Sequence, residues 1–368
     1  MAMAISMTIS KINDNMNFNN NFNDNNKFYG LRQNGIFVNM VLVTGGTGLV
    51  GAHLLIHLLE KGENVCAIYR SLGSTQKAKS LFSLYKKEAL YESIQWIEAD
   101  ILDIPSLENA FQGIDQVYHC AAMISFDPKE EDLVRKTNIE GTANIVNFCL
   151  AYNIKKLCHV SSIAALGDLA SHESIITEET EWNPEKPHSD YAISKYGAEM
   201  EIWRGQQEGL EVIILNPGII IGPGFWDQGS GELFTKVKNG LPFYTKGSTG
   251  FVAVSDVVTI MYELMKSDIH GERFTLVSQN IVFKDLLFTI ADALKVKRPK
   301  YHTKPYLMNT LWKLDWIASN VFGKKRQLSK ASARSSYSTD LYSNEKIKNA
   351  LNITFIGVPD YIKKITTL

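Results

Sequence analysis

Tyr191 and Lys195, in Tyr191-Ala-Ile-Ser-Lys195, are the residues of this chain best suited to acid–base chemistry. On a helix, a spacing of four places both side chains on one face. A free phenol titrates near pH ~10. An adjacent ammonium stabilises the phenolate and makes the pair a usable general acid–base near neutrality. Ser162, in Val160-Ser-Ser-Ile163, stands at the end of an apolar strand and can donate to a substrate oxygen. A second group lies far upstream. Thr44-Gly-Gly-Thr-Gly-Leu-Val-Gly51 spaces Gly45, Gly48 and Gly51 as GxxGxxG, after a β-branched run and before an apolar-faced helix. That context suits a dinucleotide. Glycine permits a tight turn and close backbone approach, and the helix start at Leu49, Val50 and Gly51 offers free N–H groups to a pyrophosphate.

The next strand end bears on the choice of cofactor. A carboxylate there would accept from a free ribose 2′-hydroxyl. The residues are Tyr69-Arg70-Ser71, so Arg70, with Lys77 in reach, suits a 2′-phosphate instead. NADP is the expected cofactor and NAD the alternative. Asp100-Ile101 follows a third strand, where the carboxylate can accept from an adenine amino group or simply cap a helix. His119-Cys-Ala-Ala122 ends a fourth, where Ala121 and Ala122 leave room for a ribose.

These groups need a scaffold of alternating elements. Strands are expected at Met40–Val43, Glu63–Tyr69, Ile94–Ile97, Gln116–His119, Lys156–Val160 and Glu211–Leu215. Helices include Ala52–Lys61, closed by Gly62, and Asp132–Ala151. This alternation predicts an α/β fold, a Rossmann-type doubly wound parallel sheet with helices on both faces. Residues 1–39 are Asn-rich and aperiodic and read as a disordered extension, with Met40 a candidate start. Residues 40–216 read as the nucleotide-binding domain. Residues 217–368 read as mainly a smaller substrate-binding part, with some segments returning to the first.

Composition excludes several classes. The 368 residues are 45% hydrophobic and 21% charged with net charge −1, which gives no basic field for nucleic acid. No apolar run reaches the length of a membrane span. Cys66, Cys120, Cys149 and Cys158 lack a CxxC pair; they suit free thiols in a reducing cytoplasm, and no metal site is expected. Ile124, Phe126, Ile163, Phe225, Trp226, Phe243 and Tyr244 fall where an apolar or aromatic substrate pocket would be lined.

Together TGGTGLVG, Asp100-Ile101, HCAA, Asn138-Ile-Glu-Gly-Thr142, Ser161-Ser162, YAISK and Asn216-Pro-Gly-Ile-Ile-Ile-Gly-Pro223 resemble the extended short-chain dehydrogenase/reductase superfamily, in its NAD(P)-dependent epimerase/dehydratase group. The resemblance spans about Met40 to Ala293. It implies Tyr191 as acid–base, Lys195 as its partner and holder of the nicotinamide ribose, and Ser162, five residues before Gly167, as carbonyl donor. It further places Asn138 near the substrate and Pro217-Gly218 near the cofactor. Two departures narrow the branch. Similar nucleotide-sugar epimerases carry an arginine seven residues before Asp256, where this chain has Thr249. Similar sugar dehydratases carry Asp-Glu after the strand-end hydroxyl, where this chain has Ile163-Ala164-Ala165. The chain is most similar to the dihydroflavonol reductase-like branch, then to the 3β-hydroxysteroid dehydrogenase-like branch. The expected reaction is hydride transfer between NADP(H) and a ketone or secondary alcohol on an apolar or aromatic small molecule. The alternatives are a nucleotide-sugar epimerase with tightly held NAD and, in another class, a non-catalytic dinucleotide-binding regulator. Residues 306–330, basic and bearing Trp312 and Trp316, read as an amphipathic helix able to touch an anionic membrane surface. The expected assembly is a monomer or homodimer.

Overall fold

Residues 39–125, 127–304, 312 and 336–368 are described by the computed structural model. Phe126 and nearly all of 306–330 lie outside them, as does the Asn-rich stretch before residue 39.

The strands are β1 (Met40–Thr44), β2 (Asn64–Tyr69), β3 (Gln95–Glu98), β4 (Gln116–His119), β5 (Lys156–Val160), β6 (Glu211–Pro217), β7 (Ile219–Ile221), β8 (Phe243–Tyr244), β9 (Ser248–Ala253), β10 (Glu272–Leu276), β11 (Gln279–Val282) and β12 (Tyr301–His302). Seven of them form one sheet in the order β10-β6-β5-β4-β1-β2-β3. Every pairing within it is parallel. Such a sheet must be covered on both faces, and successive residues of β1 go to opposite cores. Val41 and Val43 join one buried cluster with Leu54, Leu55 and Leu58 of the Leu49–Glu60 helix and Val257 and Met261 of the Val254–Lys266 helix. Leu42 joins the other, with Ala110, Ile145, Val146 and Ile202.

Strand order reverses between β1 and β4, which opens a crevice at their carboxyl ends, where ligands bind in such sheets. Gly45, Ala121, Ser162 and Gly218 all follow the carboxyl ends of strands in this sheet.

Several boundaries differ from the sequence expectation. The first helix begins at Leu49, a turn before Ala52, so the glycine turn runs straight into it; it ends at Lys61 and Gly62, the latter at φ +79°. The helix expected over Asp132–Ala151 is interrupted by a π-helical turn at Lys136–Glu140. β10 was not among the expected strands. It pairs with β6, so the C-terminal half adds an edge strand to the large sheet. β7, β9 and β11 form a separate three-stranded sheet and β8 and β12 a two-stranded one. Among the described residues no helix is long and apolar enough to cross a membrane.

Candidate active site

The catalytic helix, Asp190–Gln207, starts at Ser189, whose side chain accepts from the Ala192 amide at 3.1 Å. Tyr191 is therefore in its first turn and Lys195 one turn further, facing the end of β5. The Tyr191 and Ser162 hydroxyls are hydrogen-bonded. Ser162 also accepts from the Ala164 amide at 3.1 Å, which fixes its orientation at the head of the Ile163–Ala165 turn. Neighbouring Ser161 is occupied elsewhere: it is buried and donates to Glu199 at 2.5 Å. The structure therefore brings Ser162, not Ser161, to the tyrosine.

The electrostatics differ from the simple sequence picture. The Lys195 ammonium is 1% exposed and donates to the Val160 carbonyl at 2.8 Å. Burial lowers its pKa to about 8, opposed by the nearby Glu199 carboxylate. Burial pushes the Tyr191 phenol above its ordinary range, and only the Ser162 bond works the other way. Tyr191 is thus held protonated at neutral pH rather than poised as a phenolate.

Glu199, one turn beyond Lys195, is a buried hub that sequence reading passed over, although its i+4 spacing was visible. It accepts from Ser161 and from Asn216 Nδ2 at 2.6 Å, and Arg273 Nη1 lies at 3.4 Å. Asn216 Nδ2 also donates to the Ser162 carbonyl at 2.9 Å. The acid therefore ties the catalytic helix to the ends of β5 and β6. Between Ser162 and Tyr191, the connecting segment is held by Trp182, stacked between His188 and Tyr196 at 3.8 and 4.4 Å.

The glycine turn passes a direct test of fit to a dinucleotide. Gly45 has φ +69°, and a Cβ there would lie 2.6 Å from the Ala121 amide nitrogen; a Cβ on Gly51 would lie 2.2 Å from the Gly45 carbonyl. Both glycines are needed by the fold itself. Gly48 is different: a Cβ there would meet only the Gly45 carbonyl, at 3.5 Å. The protein leaves this direction open, as a pyrophosphate cradle requires. No acidic side chain occupies the helix's first turn, and the half-buried Leu49 and Val50 present its first amides.

The other expected cofactor residues divide. Arg70 is exposed and meets no carboxylate among the described residues. Lys77 is already engaged, 2.8 Å from Asp227 and 3.2 Å from Gln228, so its charge is locally balanced. Asp100 accepts from the Leu102 amide at 2.9 Å, which leaves its other oxygen available. The Ile101 side chain is buried against Gly141 and its carbonyl accepts from Asn144, so any cofactor contact of this residue would go through its backbone amide. Ala121 and Ala122 form the half-buried to exposed ledge after β4. Gly218 is required by the backbone of Gly250, 2.4 Å from a Cβ placed on it, and Pro217 is a buried strand residue.

Among substrate-lining candidates, Asn138 is corrected. It is 2% exposed, and its side chain bonds Met123 N, Met123 O and Ser194 Oγ, so it braces the loop after β4 rather than facing a substrate. Phe225 is core, 1% exposed. Ile163 is half-buried, Trp226 packs on Phe234 at 5.1 Å, and Tyr244 packs on Phe288 at 5.6 Å. All four cysteines are free. Cys120 is half-buried, its thiol pushed up to about 12 by burial, which makes it a poor nucleophile.

The chain is similar to known proteins. A Synechocystis sp. protein assigned as a dihydroflavonol 4-reductase is 30% identical over 76% of this chain and 78% of its own. Anthocyanidin reductase of Arabidopsis thaliana is 28% identical over 71% and 81%. A yeast methylglyoxal/isovaleraldehyde reductase, Gre2, solved with NADPH, superposes with a TM-score of 0.68 at 20% identity over 89% of this chain and 97% of its own, which shows the shared fold. The family profile matches residues 41–276, from β1 through β10. With the glycine turn, the strand-end serine and the Tyr–Lys helix all inside that span, this chain belongs to the NAD dependent epimerase/dehydratase family, as an NAD(P)-dependent oxidoreductase.

Proposed function

We propose that this oxidoreductase is an NADPH-preferring reductase that converts a ketone on an apolar or aromatic small molecule to a secondary alcohol. The observation that carries the reading is the Tyr191–Ser162 hydrogen bond beside the glycine cradle, with the phenol held protonated. When bound, the nicotinamide supplies the hydride. The residues of the chain handle the oxygen. Ser162 and Tyr191 together offer two hydroxyls to one carbonyl oxygen, and Tyr191 gives its proton as the carbonyl becomes an alcohol. The Ser162 hydroxyl lowers the cost of the phenolate left behind, which regains its proton from solvent, while the Lys195 ammonium stays on the Val160 carbonyl one turn further along the helix.

Ile163-Ala164-Ala165 follows Ser162, so no carboxylate stands there to remove or return a second proton, and elimination lacks its acid and base. Thr249 lies in β9 where similar sugar-nucleotide enzymes carry a phosphate-gripping arginine. Exposed Arg70, with no acid at the end of β2, supports NADPH. The reductase names of the relatives support an aromatic ketone, bordered by Ile163, Trp226 and Tyr244. Four unpaired thiols support a reducing, cytoplasmic setting.

The test is NADPH oxidation by the purified chain with dihydroflavonols, steroid ketones and nucleotide-sugars in parallel. Net NADPH consumption with a dihydroflavonol or steroid ketone is expected. Interconversion of nucleotide-sugars with no net consumption would replace this reading with an epimerase.

A further inference from the structure

A chain of buried hydrogen bonds joins the glycine turn to the catalytic helix, and the single proton on each hydroxyl sets its direction. At one end the Ala121 amide donates to Thr44 Oγ1 at 3.1 Å. Ala121 N is also the atom that a side chain on Gly45 would strike, so this amide touches the cofactor turn itself. Thr44 Oγ1 lies 2.7 Å from His119 Nδ1, and His119 Nε2 lies 3.0 Å from Thr142 Oγ1. Thr142 Oγ1 lies 2.6 Å from the Asn138 carbonyl, which can only accept, so the Thr142 proton goes there. Thr142 must then accept from His119 Nε2–H. His119 Nδ1 is left bare and must accept from the Thr44 hydroxyl.

The same Asn138 donates through Nδ2 to Ser194 Oγ at 2.9 Å, and Ser194 donates to the Tyr191 carbonyl at 2.8 Å. Thr44, His119, Thr142, Asn138 and Ser194 are all at most 2% exposed. Groups this deeply buried have no ready access to bulk solvent, so breaking one bond leaves its neighbours unsatisfied. Burial and the Lys195 charge hold His119 neutral, with its pKa lowered to about 3. The His159 ring lies beside it, tilted by 30° at 5.1 Å between centroids, and is likewise held neutral.

We propose that His119, as the neutral Nε2–H tautomer, is a positioning residue that couples the cofactor turn at Thr44–Gly45 to the Tyr191 turn of the catalytic helix. This rests on the glycine turn binding the dinucleotide and on Tyr191 being the acid. A ligand that settles the glycine turn thereby also sets the Tyr191 turn, through fixed bonds and without a movement of charge.

The experiment uses the full chain. Nitrogen-15 NMR of its histidines should show His119 protonated at Nε2 and bare at Nδ1, with no titration across the neutral range. NADPH and NADH dissociation constants are then measured by fluorescence. Thr142→Val, nearly isosteric, should weaken binding about tenfold, and Thr142→Ser, which restores the hydroxyl, should recover it to within about twofold. In a cycle of Thr44→Val and Ser194→Ala, the double variant should be weaker by at least about threefold less than the product of the two single effects. A merely structural role would lower melting temperature alike in all variants and leave the two ends multiplicative. A protonated Nδ1, a folded Thr142→Val with wild-type affinity, or a multiplicative cycle would each overturn the coupling. If the wild type binds neither dinucleotide, the cofactor assignment falls and the coupling falls with it. Should the wild type bind normally while the cycle is multiplicative, the coupling alone is lost.

Discussion

Replacing Arg70 by alanine should weaken NADPH binding and hardly change NADH. Arg70 follows the last residue of β2 and is exposed, with no carboxylate to neutralise it among the described residues. A hydrogen bond to a charged group contributes about 1.5–3 kcal/mol, and exposure moves this pair to the bottom of that range and below it. Roughly 1–2 kcal/mol corresponds to about a 5- to 30-fold rise in the NADPH dissociation constant. Lys77 should contribute less, because Asp227 already holds its ammonium at 2.8 Å. Lys77→Ala is expected to change NADPH affinity less than about twofold, whereas Asp227→Asn frees the ammonium and should tighten NADPH by about two- to fivefold. Fluorescence titration with both cofactors at two ionic strengths is the assay. The NADPH advantage should shrink at the higher salt. The reasoning is refuted if the wild type prefers NADH, or if Arg70→Ala weakens both cofactors equally. A Lys77→Ala loss as large as that of Arg70→Ala would show that the lysine leaves Asp227 for the phosphate.

Tyr191→Phe should lower turnover by at least about 100-fold while cofactor affinity persists; a folded variant with near-normal turnover would remove the phenol from its role. Gly48→Ala should fold with an unchanged melting temperature, because a Cβ there meets nothing closer than 3.5 Å, yet bind NADPH poorly. Gly45→Ala, at φ +69° and 2.6 Å from Ala121 N, should lose stability as well, and thermal melts beside binding curves separate the two. The folded chain releases the Lys195 proton near pH 8, where an unfolded chain holds it to about 10.5. This group's contribution to folding stability therefore rises with pH across that window. The kcat/KM for NADPH should fall as pH climbs through about 8, and Lys195→Arg should delay the fall. Burial raises the Asp256 carboxyl from 3.8 to about 6, so its contribution to stability is present below 3.8 and lost as pH rises through 6. Asp256→Asn should then raise the melting temperature above pH 6 but not near pH 3.8, as thermal melts in the two buffers would show.

Local patterns were legible in the sequence because their causes are local. The β-branched run before Gly45 needs only its own residues to read as a covered strand, and GxxGxxG needs only the turn that follows. Tyr191 and Lys195 share a face because a helix repeats every 3.6 residues, whatever surrounds it. Gly48 could be singled out only after folding, since all three glycines look alike until the space beside each is known. The partners of the buried polar groups were hidden for the same reason. Thr44 and His119 are 75 residues apart in sequence, and Lys77 and Asp227 are 150 apart. Asn138 read as a substrate contact because its motif carries no sign of Met123 or Ser194, which the π-helical turn and the catalytic helix bring to it. That the Ile101 side chain packs on Gly141, 40 residues away, was equally hidden. A side chain's chemistry is written in its own atoms. Whether that chemistry faces a ligand or is consumed by another side chain depends on which distant segment the sheet order lays beside it, and that is decided by tertiary packing alone.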